Sequence, residues 1–158
     1  MSIFDLDTFL DASTSEAGTK RPPLPAGESF VGVIGDIKPP RETAGKQDPS
    51  KSYIFLDIPV KFDLTSRPDI AALVGTTEVT LVAGVSLDLI VKDGRTALDT
   101  SPGKNRGLTK WREAVGLNQD GVTFSPRMLT GRMVLCKIKH DPYQGDVYDK
   151  IDSVAKVS

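Results

Sequence analysis

The sequence predicts a mainly β domain: a five-stranded, partly open barrel, one helix between the third and fourth strands, and an extended N-terminal arm. Three observations predict it. Residues 53–62 alternate strictly, with Ile54, Leu56, Ile58, Val60 and Phe62 on one face and Tyr53, Phe55, Asp57, Pro59 and Lys61 on the other, the period of a half-buried strand. Asp93-Gly94 separates two short runs, a strong hairpin signal. Between the third and fourth of the long strands, residues 108–115 repeat their apolar residues at helical spacing, as Ile3, Phe4, Leu6, Phe9 and Leu10 do in the arm. The chain has 158 residues, 39% hydrophobic and 26% charged. That suits one domain with a core and excludes disorder of the whole chain. No apolar run approaches the ~18–20 residues that cross a bilayer. The opening residues carry Asp5 and Asp7 and no base, unlike a secretory signal. A single cysteine, Cys136, excludes an intrachain disulfide framework and fits a reducing compartment.

The elements follow in order. Residues 1–27 form the arm. It is an acidic and apolar block followed by a linker ending in Arg21-Pro22-Pro23-Leu24-Pro25, whose prolines cannot donate ladder hydrogen bonds. The folded domain is expected over 28–158, with a first strand at Glu28–Lys38. Gly32 and Gly35 inside that strand mark a bend, a bulge or a close backbone approach. Residues 39–51 read as a long loop with bases at Arg41, Lys46 and Lys51. The second strand is 53–62, where Pro59 suggests an edge or a bulge. A helical turn over 67–74 has Ser66 as its N-cap and Gly75 as its stop. Residues 78–91 read as one long third strand bent at Gly84, with a hairpin return over 95–98. The helix 108–115 buries Leu108, Trp111 and Val115, and Gly116 ends it. Strands at 131–139 and 146–154 flank a turn at 140–145. Five strands with a helix between the third and fourth is the order of an OB-fold; another small β-barrel or a sandwich is the alternative.

Catalytic chemistry finds little support. His140 is the single histidine and has no nucleophilic partner in its pattern, while Cys136 lies on an apolar strand. One histidine and one cysteine do not make a zinc site, and no phosphate-binding or calcium fingerprint occurs. The chain is expected to be no enzyme and to need no cofactor or metal. Charge is more informative. The formal net charge is −1, yet residues 1–16 carry four acids and no base. Residues 92–112 carry six bases against two acids, and residues 127–140 four bases and no acid. Local clusters of this kind govern attraction to a polyanion. Single-stranded nucleic acid is held by such a groove together with aromatic faces on which bases stack. Tyr53 and Phe55 share the outer face of a strand flanked by Lys51 and Lys61; Lys137 and Lys139 share a later face; His140, Tyr143 and Tyr148 lie at its turn. With Arg41 and Lys46 in the loop after the first strand, these are the candidate DNA-binding residues. Solvated basic faces, and aromatics covered by the arm or by the hairpin, are the competing readings.

The stretches Gly107–Asn118 (GLTKWREAVGLN), Leu129–Arg132 (LTGR) and Lys137–Ile151 (KIKHDPYQGDVYDKI), with Pro25–Glu28 (PAGE) before the first strand, resemble small bacteriophage proteins related to single-stranded DNA-binding proteins, over roughly residues 25–155. The resemblance implies an OB-fold that binds single-stranded DNA without strong sequence preference. It also implies a role in phage DNA replication or recombination, in the cytoplasm of the infected host cell. Many such proteins carry a C-terminal acidic tail. Here residues 153–158 hold no acid and the acidic block stands at the N-terminus. That block suits docking on replication or recombination proteins, on its own barrel, or on a neighbouring copy in a homo-oligomer. No membrane partner is expected. The competing function is a non-catalytic structural or assembly protein of a virion.

Overall fold

The computed structural model describes residues 21–45, 50 and 52–157. Residues 1–20 of the arm, and Lys46 and Lys51 of the candidate site, lie outside the described residues. The fold is mainly β and antiparallel. Its strands are β1 (Ser29–Ile34), β2 (Arg41–Ala44), β3 (Ser52–Asp63), β4 (Glu78–Leu87), β5 (Leu89–Lys92), β6 (Arg95–Leu98), β7 (Met133–Tyr143) and β8 (Asp146–Ala155). Among the described residues there are also two α-helices, α1 (Pro68–Val74) and α2 (Arg106–Ala114), and a 3-10 turn at Pro126–Leu129.

β3 organises the main sheet. One of its edges pairs with β4 from Ile54↔Leu87 to Asp63↔Glu78. The other edge pairs first with β2 (Arg41↔Phe55) and then with β1 (Ile34↔Val60). β1 also pairs with β7, and β7 with β8. β4 and β8, the outer strands, approach each other without a hydrogen-bonded ladder, so the sheet is curved but not closed. Inward side chains from all sides share one core, including Phe30, Leu56, Ile58, Val60, Phe62, Val134, Cys136 and Ile138, with Leu108 and Trp111 of α2 packed against it. Phe30 and Phe62 meet edge-on with centroids 6.3 Å apart.

Several expectations need correction. The loop over 39–51 contains β2, an exposed edge strand paired with β3. Pro59 lies in a central strand rather than at an edge or a bulge. Its carbonyl accepts from Gly35 N–H at 2.9 Å, so its nitrogen faces the gap between β2 and β1, where no donor is needed. The N-cap of α1 is Arg67, not Ser66; Gly75 closes the helix in the left-handed region at φ 80°. The run 78–91 breaks at Asp88, not at Gly84. Asn105 grips that point: its Oδ1 accepts from Asp88 N–H and its Nδ2 donates to the carbonyls of Asp88 and Asp99. β5 and β6 therefore leave the core as a separate hairpin. Residues 140–143 continue β7, and the turn is Gln144-Gly145, with φ 49° and 82°.

The linker is also more than a spacer. Leu24 is fully buried in the core. Asp149 of β8 accepts from both Arg21 guanidinium nitrogens, at 2.7 and 3.1 Å, and from Leu24 N–H at 2.9 Å. His140 Nε2 donates to the Leu24 carbonyl at 2.7 Å. Residues 21–27 are thus strapped to the β7–β8 hairpin, ahead of the boundary expected at Glu28.

Candidate nucleic-acid interface

Alternation in β3 puts Tyr53, Phe55, Asp57, Pro59 and Lys61 on the outer face of the sheet, opposite the buried Leu56, Ile58, Val60 and Phe62. Their β4 neighbours on that face are Ser86, Gly84, Val82 and Thr80. Tyr53 is 46% exposed and open to stacking. Phe55 is half-buried, because the Arg41 guanidinium from β2 lies over its ring at 5.1 Å. Asp57 holds that guanidinium through Nε at 2.8 Å, and this hydrogen bond raises the pKa of Arg41. A Cβ on Gly84 would lie 3.6 Å from Arg41 Nη2 and 3.7 Å from Asp57 Oδ1. These are ordinary contact distances, so the ion pair lies against β4 at Gly84 and a methyl there would be accommodated. Lys61 meets Glu78 at 3.2 Å.

A second aromatic pair stands on the β7–β8 hairpin. Tyr143 and Tyr148 pack edge-on with centroids 6.3 Å apart. With Val82 of β4, Asp141, Pro142, Asp149 and Lys150, they line a cavity of about 520 Å³. Lys150 bonds Asp141 at 2.6 Å and holds its carboxyl below the usual carboxylate range. Ser86 beside Phe55 and Val82 at this cavity are four residues apart on β4, roughly 13 Å at strand rise. The two aromatic clusters thus flank one continuous outer surface.

Other candidates are placed elsewhere. Lys137 and Lys139 project from the outer face of β7, where Lys137 pairs with Ser29, and β1 stands between that strand and β3. His140 falls on the opposite hairpin face from Tyr143, and its Nε2 is engaged by the strap. Burial pushes the Cys136 thiol up to about 12, which suits a core residue. Sequence reasoning missed Asp57, Gly84, Val82 and Lys150 as shaping residues. A glycine within an alternating strand was the available signal for Gly84; the others depend on cross-strand register. Among the described residues, no group of three or more His, Cys, Asp or Glu side chains is arranged to hold a metal ion, and no helix is long and apolar enough to cross a membrane.

No protein-family profile matches the chain, and no curated protein matches it.

Proposed function

We propose that the chain is a non-catalytic OB-fold module that binds single-stranded DNA with little sequence preference, in phage replication or recombination. The observation that carries the reading is the outer surface of β3 and β4. It presents Tyr53 and the Arg41-covered Phe55 at one end and Tyr143 and Tyr148 at the other. The strand pairing supports it. Among the five long strands the first lies between the second and fourth, the third lies outside the second and the fifth outside the fourth, with a helix after the third. This order agrees with an OB arrangement, in which ligands cross the second and third strands between the loops at their ends. Exposed aromatics offer sequence-tolerant stacking, and Arg41 adds a planar cation that stacks as well as pairs.

Titration of labelled poly-dT at several salt concentrations tests the reading. Binding that weakens linearly in log salt, with quenching of tyrosine fluorescence, is the expected result; absence of binding at low salt overturns it. One observation favours the second reading, a structural or assembly protein. The outer faces of β1 and β7 bring Val31, Val33 and Met133 together, 40–53% exposed. That reading predicts concentration-dependent self-association with no oligonucleotide binding.

A further inference from the structure

On the β3–β4 surface the cations are already matched by acids: Arg41 by Asp57, Lys61 by Glu78, and Lys150 by Asp141. Beside it runs a series that is not. Lys110 on α2 lines a groove of about 500 Å³ with Gly84, Ser86, Trp111, Asp152 and Ser153, at the seam between β4 and β8. Arg106 lies one helical turn before Lys110, on the same side of α2. Lys104 precedes the helix, next to Asn105, the residue that fastens the base of the β5–β6 hairpin. Lys92 and Arg95 flank the Asp93-Gly94 turn at the hairpin tip, roughly 13 Å out at strand rise. All five are exposed, and none has an acid within 4 Å among the described residues. The nearby acids are partly engaged with backbone. Asp88 accepts from Asn105 N–H; Asp99 accepts from Ser101 and also feels the Lys104 charge, without a direct ion pair. Asp93 and Asp152 also border the series, and Glu113 accepts from Asn118. The hairpin carrying the tip leaves Leu89, Ile90 and Val91 exposed, at 37%, 40% and 76%, and is not part of the main sheet.

We propose that a bound single strand leaves the β3–β4 surface at Gly84 and Ser86, crosses α2 on Lys110, Arg106 and Lys104, and continues along the β5–β6 hairpin to Lys92 and Arg95. This rests on the single-strand reading above and supplies its phosphate path. The sheet face provides stacking, and the cations that lack acid partners provide the charge. Binding a phosphate there breaks no existing ion pair.

The test compares Lys104→Ala/Arg106→Ala/Lys110→Ala with a control of equal charge, Arg127→Ala/Arg132→Ala/Lys156→Ala, by poly-dT titration from 0.05 to 1 M salt. Each phosphate contact on a single strand contributes about −0.7 to the slope of log affinity against log salt. The first variant should flatten the slope by about 2 and bind about 100-fold more weakly at 0.1 M, converging with the parent near 1 M. The control should keep the parental slope. If the parent binds and the first variant keeps its affinity and slope, the path is wrong and the single-strand reading stands. If the control flattens equally, the cations act as a diffuse field and the path is again wrong. If the parent does not bind at any salt, both readings fall. Should the first variant unfold, Lys92→Ala/Arg95→Ala at the hairpin tip carries the same test, with an expected flattening of about 1.4.

Discussion

Tyr53 and Phe55 share a strand face but offer different surfaces. Tyr53 is open, whereas Phe55 has its ring occupied by the Arg41 guanidinium, itself anchored by Asp57. A base reaching Phe55 must displace Arg41 or stack on top of it; a base reaching Tyr53 displaces nothing. Tyr53→Ala should therefore weaken single-strand binding by ~1–3 kcal/mol, and Phe55→Ala by less. Stacking has little ionic character, so both losses should persist across salt with the slope unchanged. The two side chains lie outside the core, so the double variant should keep the parental denaturation midpoint. Fluorescence titration at two salt concentrations and a urea melt check all of this. A larger loss from Phe55 than from Tyr53 would mean that Arg41 swings away on binding.

At the scale of elements, two junctions decide the architecture. The first is the antiparallel pairing of β1 with β3. A Cβ on Gly32 would run into Val60 and come within 2.9 Å of Phe62 Cε1, so Gly32→Ala should destabilise by ~1–3 kcal/mol, as overpacking does, measured as a lower urea midpoint. The second is the strap. Burial of Asp149 works to raise its pKa, but the Arg21 guanidinium and Leu24 N–H outweigh that and hold it below the ordinary carboxylate range. A depressed folded pKa contributes stability above the unfolded value near ~3.9, lost as pH falls through the folded value. Asp149→Asn should cost ~1–3 kcal/mol at pH 7, and its gap to the parent should narrow below about pH 4. A gap independent of pH between 7 and 3 would remove the strap's ionic character. These junctions also show what the sequence could disclose. β3 was legible because its alternation is a local property of Ile54 to Phe62. β2 was not, because Arg41–Ala44 is an exposed edge with no apolar alternation. The break at Asp88 was hidden within a continuous apolar run, since its cause, Asn105, lies 17 residues away. Pro142 read as a turn, yet it shares the parity of Ile138, whose N–H and C=O face the β1 edge; at 142 that edge has no β1 partner to satisfy. The shared outer face of Tyr53 and Phe55 was likewise legible from β3 alone, whereas the pairing of Arg41 with Asp57 and of Lys61 with Glu78 follows from register.

For the whole molecule, the balance of charge sets how far any polyanion surface can act. The net charge of −1 gives almost no long-range attraction, and four of the acids are in residues 1–16. The described chain begins at Arg21, which is fixed to Asp149. Asp149 also lines the cavity under Tyr143 and Tyr148, so the arm is rooted at one end of the candidate surface. Deleting residues 1–16 changes the net charge from −1 to +3 and leaves Arg21, Leu24 and the strap in place. Repulsion of a polyanion should fall, and because the Debye length shortens from about 30 Å at 0.01 M salt to about 3 Å at 1 M, the gain should be confined to low salt. The expected outcome is poly-dT binding that is equal or tighter at 0.05 M, indistinguishable from the parent at 0.5 M, and accompanied by an unchanged melting midpoint. Weaker binding at low salt would reverse the sign of the arm's contribution and make residues 1–16 part of the binding surface; a lowered midpoint would make them part of the fold.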